Sequence, residues 1–225
     1  MSANQLDSGD LIRIPGGEFL MGQADGRDEE QPVHAVALAP FRICRYPVTN
    51  AHWEHFRKAA GREQLSFTHA TAPAASVNWF DAMAFCHWLS TLWSLPVRLP
   101  TEAEWEFAAR GGAGQQTYPW GGESRPYTPE RWRDGPEPVA QEEANGYGLF
   151  DMCQNVHEWC ADWYDPQYYA ISPKDNPRGP EHGKRRASRG GAWRHQIKCS
   201  RCAARSSIPP EFRYADYGFR VAADE

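Results

Sequence analysis

Cys199-Ser-Arg-Cys202, with His195 shortly before it, is the densest group of soft donors in the chain. A CxxC pair can be redox-active, bind a metal or simply pack. A thioredoxin-type role needs the pair at a helix N-terminus, where the dipole lowers a thiol pKa, and no helix is predicted there. A structural zinc needs four ligands, usually from two such pairs. The other cysteines, Cys44, Cys86, Cys153 and Cys160, make no second CxxC. The simplest reading puts one thiol in the core and one near the surface. The alternative is a soft metal or redox site made by Cys199, Cys202 and His195. His52 and His55 stand at i, i+3, a spacing that permits co-ligation but more often marks a solvated face.

Three helices must position these groups. Thr49 can cap residues 50–60, where Trp53, Phe56 and Ala60 recur at helical spacing. Asn78 precedes residues 79–93, whose Phe80, Met83, Ala84, His87, Trp88 and Leu92 predict one buried face. Thr101-Glu-Ala-Glu104 is a capping box opening residues 102–110, which stop at Gly111-Gly112. Leu11 to Ile14 and Glu18 to Gly22 read as the two strands of a hairpin around Pro15-Gly16-Gly17. Residues 33–41 and 42–46 look extended. Beyond Gly111 helical periodicity is lost, and 111–145 and 165–188 read as long loops. Helices in the first half and short extended pieces in the second predict an α+β fold. Residues 1–10 read as a flexible tail and 11–225 as a single domain.

The chain of 225 residues has 24 basic and 29 acidic side chains. A core in a chain of this size buries roughly 70% of the unfolded surface, so no disulfide scaffold is needed. Ten Trp, nine Tyr and ten Phe rule out disorder as the main state. A pI near 5.9 argues against nucleic-acid binding, which needs a basic field. No apolar run approaches the ~20 residues of a membrane span. Met1 is followed by neither a cationic flank nor an apolar stretch, so no signal peptide is expected. A cytoplasmic location with mostly reduced cysteines is the default expectation.

Several motifs in order resemble one family. They include Ile14-Pro-Gly-Gly-Glu-Phe-Leu-Met-Gly22, Arg98-Leu-Pro-Thr-Glu-Ala-Glu-Trp-Glu106, Tyr118-Pro-Trp-Gly121, Asn145-Gly-Tyr-Gly-Leu-Phe-Asp-Met152, Asn155-Val-His-Glu-Trp-Cys-Ala-Asp-Trp163, Arg189-Gly-Gly-Ala-Trp193 and Gly218-Phe-Arg220. This pattern resembles the sulfatase-modifying-factor domain, the domain of formylglycine-generating enzyme. The resemblance implies a C-type-lectin-like fold of small twisted antiparallel sheets, a few helices and much irregular loop. It also implies oxygen-dependent oxidation of a substrate cysteine at copper held by two cysteines. The first of those cysteines falls at His195 and the second at Ser200, so the copper pair is missing and neither copper nor iron is expected. The family's calcium site implies ligands at Asp151, Gln154, Val156 and Glu158. Here Gln154 replaces a glycine, and a loop stapled by hydrogen bonds is the competing reading. The family's other calcium loop is not recognisable in Gly121-Gly-Glu-Ser-Arg-Pro126. His157 stands where the family usually has Trp.

The C-terminal framework also resembles the variable proteins of diversity-generating retroelements. Gly190-Gly-Ala-Trp193, Arg201-Cys-Ala-Ala-Arg205, Pro210-Glu-Phe-Arg213 and Gly218-Phe-Arg220 carry that likeness. It implies a surface that binds an unidentified protein or small ligand through Arg194, His195, Gln196, Ile197, Ser206, Ser207, Ile208, Phe212, Tyr214, Asp216 and Tyr217. The framework residues Trp193, Arg201, Arg205, Arg213 and Arg220 should then be buried or partnered. Two functions follow: a non-catalytic binding module, or an oxygen-dependent oxidoreductase related to formylglycine-generating enzyme.

Overall fold

The computed structural model describes residues 7–63, 66–122 and 135–225. Residues 1–6 of the expected tail, and the segment 123–134 with most of the second calcium loop, lie outside the described residues. The rest of the tail is structured. Ser8–Asp10 form a 3-10 turn closed by a capping box from Asp7. Asp10 is buried and accepts from the Tyr46 hydroxyl at 3.2 Å.

Strands β1 (Leu11–Ile14), β2 (Gly17–Met21), β3 (His34–Leu38) and β4 (Phe41–Cys44) precede three helices. These are α1 (Asn50–Ala59), α2 (Trp79–Trp93) and, after the short β5 (Val97–Arg98), α3 (Glu102–Ala109). Then come β6 (His157–Trp163), β7 (Arg186–Arg189), β8 (Ser206–Ile208), β9 (Tyr217–Gly218) and β10 (Ala222–Asp224). One sheet runs β1-β4-β10-β5, a ribbon pairs β2 with β3, and the sheet that carries the site runs β8-β7-β6-β9. All pairs are antiparallel except β6 with β9.

The expected β1–β2 hairpin does not form. β1 pairs with β4, Leu11 opposite Cys44 and Ile14 opposite Phe41, while β2 pairs with β3. The long-range pairing places Ile14, Phe41 and Ile43 in one core, a gain that a local turn signal does not reveal.

All three helices carry capping boxes, from Thr49, Asn78 and Thr101. In α1, Trp53 and Phe56 are buried as expected, but Ala60 is exposed. His52 is buried too, because its Nδ1 accepts the Thr49 amide, so it is not part of a solvated face. In α2 the buried face is Ala82, Phe85, Cys86 and Leu89. Phe80, His87 and Leu92, predicted to be buried, are exposed. That helix is apolar around most of its circumference, so its own sequence does not choose the face. The choice falls to its neighbours, and Phe85 meets the rings of Trp53, Phe56 and Phe219 at 5.8, 5.6 and 5.3 Å.

The second core forms around α3, whose Trp105 is fully buried. This helix also buries Glu102, Glu104 and Glu106. A buried carboxylate is tolerable only when paired and hydrogen-bonded. Glu102 receives two bonds from Arg205 at 2.8 and 2.9 Å, Glu104 receives Arg98 twice at 2.7 Å, and Glu106 meets Arg110 and Arg189. Burial alone would raise the Glu106 carboxyl; Arg189 and Arg110 outweigh it and hold that group below its ordinary value.

Candidate functional site

The site lies where β6 and β9 run side by side. His157 pairs with Tyr217 and Glu158 with Gly218. Adjacent strand residues point to opposite faces, so His157 and Glu158 enter different environments. Glu158 turns into the core, where it receives Arg220 at 2.6 and 2.7 Å and the Trp105 indole N–H at 2.7 Å. His157 turns toward the loop after Gly190-Gly191. That loop is pinned by the Trp193 amide donating to the Asn155 carbonyl at 2.9 Å. Gly191 has φ +67°, and a Cβ there would lie 2.8 Å from the Cys199 carbonyl oxygen, so Gly191 serves a tight backbone approach, while Gly190 lies against the Trp105 ring.

His157 Nε2 faces His195 Nδ1 at 3.0 Å, and His195 Nε2 lies 3.5 Å from Asp216. The donor atoms of the three residues all fall within 4.8 Å of one another. His157 is buried and stacks on Tyr217 with ring centroids 4.8 Å apart. Desolvation, with His195 and Arg194 nearby, pushes its pKa down to about 3, so the ring is neutral at ordinary pH. Burial also lowers His195, with Asp216 opposing and Arg194 adding. Arg194 closes the outer side with bonds of 2.8 and 2.6 Å to the two Asp216 oxygens.

The soft site expected from Cys199, Cys202 and His195 is not assembled. Among the described residues the one cluster of three such donors is His157, His195 and Asp216. Cys202 is fully buried against Cys153; burial, then that contact, raises the Cys153 thiol well above its ordinary value. Cys199 is half-buried, 3.8 Å from Arg27. The split into one core thiol and one near the surface is what the residue types suggest. The two-thiolate copper site implied by the resemblance does not fit these residues.

Of the expected calcium residues, Asp151 and Glu158 come together around Arg220, where they take part in a network of hydrogen bonds. Both Glu158 oxygens are engaged by Arg220, which also donates to the Phe150 and Asp151 carbonyls. Asp151 accepts from the Ala140 amide at 2.8 Å and from Asn155 at 3.3 Å, and burial raises its pKa. Gln154 sits at φ +66°, the left-handed conformation that favours glycine. A guanidinium thus stands between Asp151 and Glu158, and these two carboxylates as arranged do not fit a calcium ion.

Of the expected binding surface, Arg194, Gln196, Phe212 and Tyr214 are exposed, and His195, Ile197, Ser206 and Ser207 half-buried. Three members belong to the interior. Ile208 and Tyr217 join the first core, where the Tyr217 hydroxyl meets Ser188 and Ser206 at 3.3 Å each. Asp216 is only 1% exposed. These residues sit beside or on β8 and β9, the two edge strands of the site-bearing sheet. The framework is partnered as expected: Arg201 with Glu30, Arg205 with Glu102, Arg213 with Asp81 and Arg220 with Glu158. Trp193 is half-buried and donates to the Ala215 carbonyl at 3.4 Å.

The sequence gives His157 no role, and it does not suggest the approach of Cys153 to Cys202. One signal was present: His157 and His195 both depart from the family pattern, at its Trp and its first copper cysteine.

The sequence model of the Sulfatase-modifying factor enzyme 1-like domain matches residues 1–225. The Streptomyces coelicolor formylglycine-generating enzyme is 36% identical over 95% of this chain and 88% of its own length. PvdO from Pseudomonas aeruginosa superposes with a TM-score of 0.86 at 28% identity, covering 96% of this chain and 94% of that one. Treponema denticola variable protein 1 superposes with a TM-score of 0.79 at 26% identity, covering 96% and 95%.

Proposed function

The chain belongs to the Sulfatase-modifying factor enzyme 1-like domain family, and from that premise we propose that it is a binding module of the variable-protein type. Its target, a protein or small ligand, docks on the surface around Arg194, His195, Gln196, Phe212 and Tyr214. One observation carries this reading. Phe212 and Tyr214 are 43% and 41% exposed, edge to face at 6.0 Å, on a segment whose framework arginines are all paired. Rigidly presented aromatics beside an exposed Arg have the composition of interface hot spots. The likeness to a variable protein over nearly the whole chain supports it. The missing thiolate pair speaks against formylglycine generation, because two soft thiolates are what hold Cu(I).

A peptide-display selection on the immobilised protein tests the surface. Selected peptides should lose about 2 kcal/mol, roughly 30-fold, on a Phe212→Ala/Tyr214→Ala variant. That variant should melt within about 0.5 kcal/mol of wild type. Peptides that bind both proteins equally would place the binding surface elsewhere. In parallel, a Cys-x-Pro-x-Arg peptide with copper should remain unconverted. Conversion that Cys199→Ser abolishes would return the oxidoreductase reading. That second reading keeps one observation, the imidazole–carboxylate cluster beside the surface.

A further inference from the structure

We propose that His157, His195 and Asp216 form a binding site for one divalent first-row transition-metal ion. The site shares His195 and Arg194 with the proposed docking surface, but metal uptake is measured without any target and does not depend on that surface binding one. Two imidazole nitrogens and a carboxylate oxygen suit borderline ions such as zinc, nickel and iron(II). Two nitrogens each about 2.0–2.1 Å from a tetrahedral ion are about 3.3 Å apart. Nε2 of His157 and Nδ1 of His195 lie 3.0 Å apart, so their separation already suits one ion, and the rings must turn from facing each other until both lone pairs converge on it. The His157 ring is held by burial, by stacking on Tyr217 and by its amide donating to the Asp216 carbonyl at 2.7 Å. Its Nδ1 meets no partner among the described residues, so its one engaged nitrogen is the one aimed at the cluster.

The carboxylate is the part that must adjust. Asp216 is held bidentately by Arg194, whose side chain is 44% exposed. A carboxylate has about four lone-pair sites, so Oδ2 can serve the ion while Arg194 keeps one bond or swings into solvent. Arg194 therefore competes with the ion, both by repulsion and by occupying its ligand. On the other side His195 is 37% exposed, which leaves the ion open to water or to a ligand atom. Three protein ligands with an open position make the arrangement of a reactive rather than a closed structural site.

The test uses tag-free protein with zinc by calorimetry and thermal melting, and with cobalt(II) by visible absorption. Wild type should take up one equivalent of either ion, give the d–d bands of a low-coordinate cobalt site, and melt higher with zinc. His195→Ala and Asp216→Asn, checked for folding by their metal-free melts, should each weaken zinc binding by about 100-fold or abolish it. Arg194→Ala should bind zinc more tightly than wild type, by about tenfold, which no adventitious surface histidine would show. Absence of stoichiometric uptake by wild type would overturn the site. So would zinc uptake by His195→Ala equal to wild type, or unchanged zinc affinity in Arg194→Ala.

Discussion

Single side chains carry unusual weight here because so many charges are buried. Glu158 is the clearest case. It is fully buried and is the carboxylate partner of Arg220, itself fully buried. Breaking such a pair leaves an uncompensated charge, at a cost of about 3–5 kcal/mol. Glu158→Gln should therefore lower Tm by on the order of 10 °C in a domain of this size. Replacing both members, as Glu158→Gln/Arg220→Met, should cost less than the single change; a single variant as stable as wild type would refute the pairing. The same geometry predicts overlapping melting curves in calcium and in chelator, whereas a calcium-dependent rise would show that an ion displaces Arg220. A second residue sets a pH dependence. Asp162 is buried beside Glu102, and its pKa is pushed up to about 8 from 3.8. Arg186 lies near it, stacked on the Trp79 and Trp163 rings at 3.8 and 3.5 Å. Between about pH 4 and 8 the unfolded chain has released this proton and the folded one keeps it. Stability from this group is thus full below pH 4 and falls as pH rises toward 8. Asp162→Asn can still accept from the Glu102 amide, so it should melt near wild type at pH 4 and higher than wild type at pH 8.5. Equal melting of the two proteins at both values would mean that Asp162 ionises freely in the fold.

Elements separate into those whose cause is local and those whose cause is not. The helices were legible because capping is local chemistry: Thr101 accepts from the Glu104 amide at 3.1 Å, and Glu104 accepts from the Thr101 amide at 2.8 Å. Thr101→Ala should cost about 1 kcal/mol, a fall in Tm of about 2–4 °C. No fall would mean that the Arg98–Glu104 pair and Trp105 hold the helix start without the cap. The strand partners were not legible, since β1 fits a β2 hairpin and a β4 ladder equally well by pattern. The buried face of α2 was hidden for a related reason, because Phe80, Leu92 and Phe85 look alike until Trp53 and Phe219 are in place. The site shows the same division. Arg220 and Arg205 could be read as framework, because a buried Arg must find oxygens, whereas Glu158, read as a calcium ligand, is the oxygen partner that Arg220 finds. Tyr217 and Asp216 could not be told from the exposed Tyr214 by residue type, and only the β6–β9 register carries them inside. His157 and His195, 38 residues apart, are joined by that register and by the glycine-bound loop, not by any spacing in the chain.

The molecule as a whole is closed by its last strand. β10 lies between β4 and β5, with Ala222 opposite both Ile43 and Arg98, and Ala223 opposite Arg42 and Val97. It also joins the two cores, since Ala222 packs in the one around Trp105 and Ala223 in the one around Phe85. Without it β4 and β5 would face each other across a gap with buried amides and carbonyls left unpaired, each costing about 1–3 kcal/mol. Several such groups together approach the 5–15 kcal/mol that is typical of a whole domain. Removing residues 222–225 should therefore abolish the cooperative melt and the near-ultraviolet dichroism of the buried tryptophans, while leaving some helical signal. A matched control separates loss of the strand from loss of its charges. Asp224 and Glu225 are exposed partners of Arg98 and Arg13, and such pairs are screened by solvent and contribute little. Asp224→Ala/Glu225→Ala should keep a cooperative transition close to that of wild type, because solvent screens both pairs. A truncated chain that melts like this control would show that the first sheet closes without β10, and that the two cores hold together by side-chain packing alone.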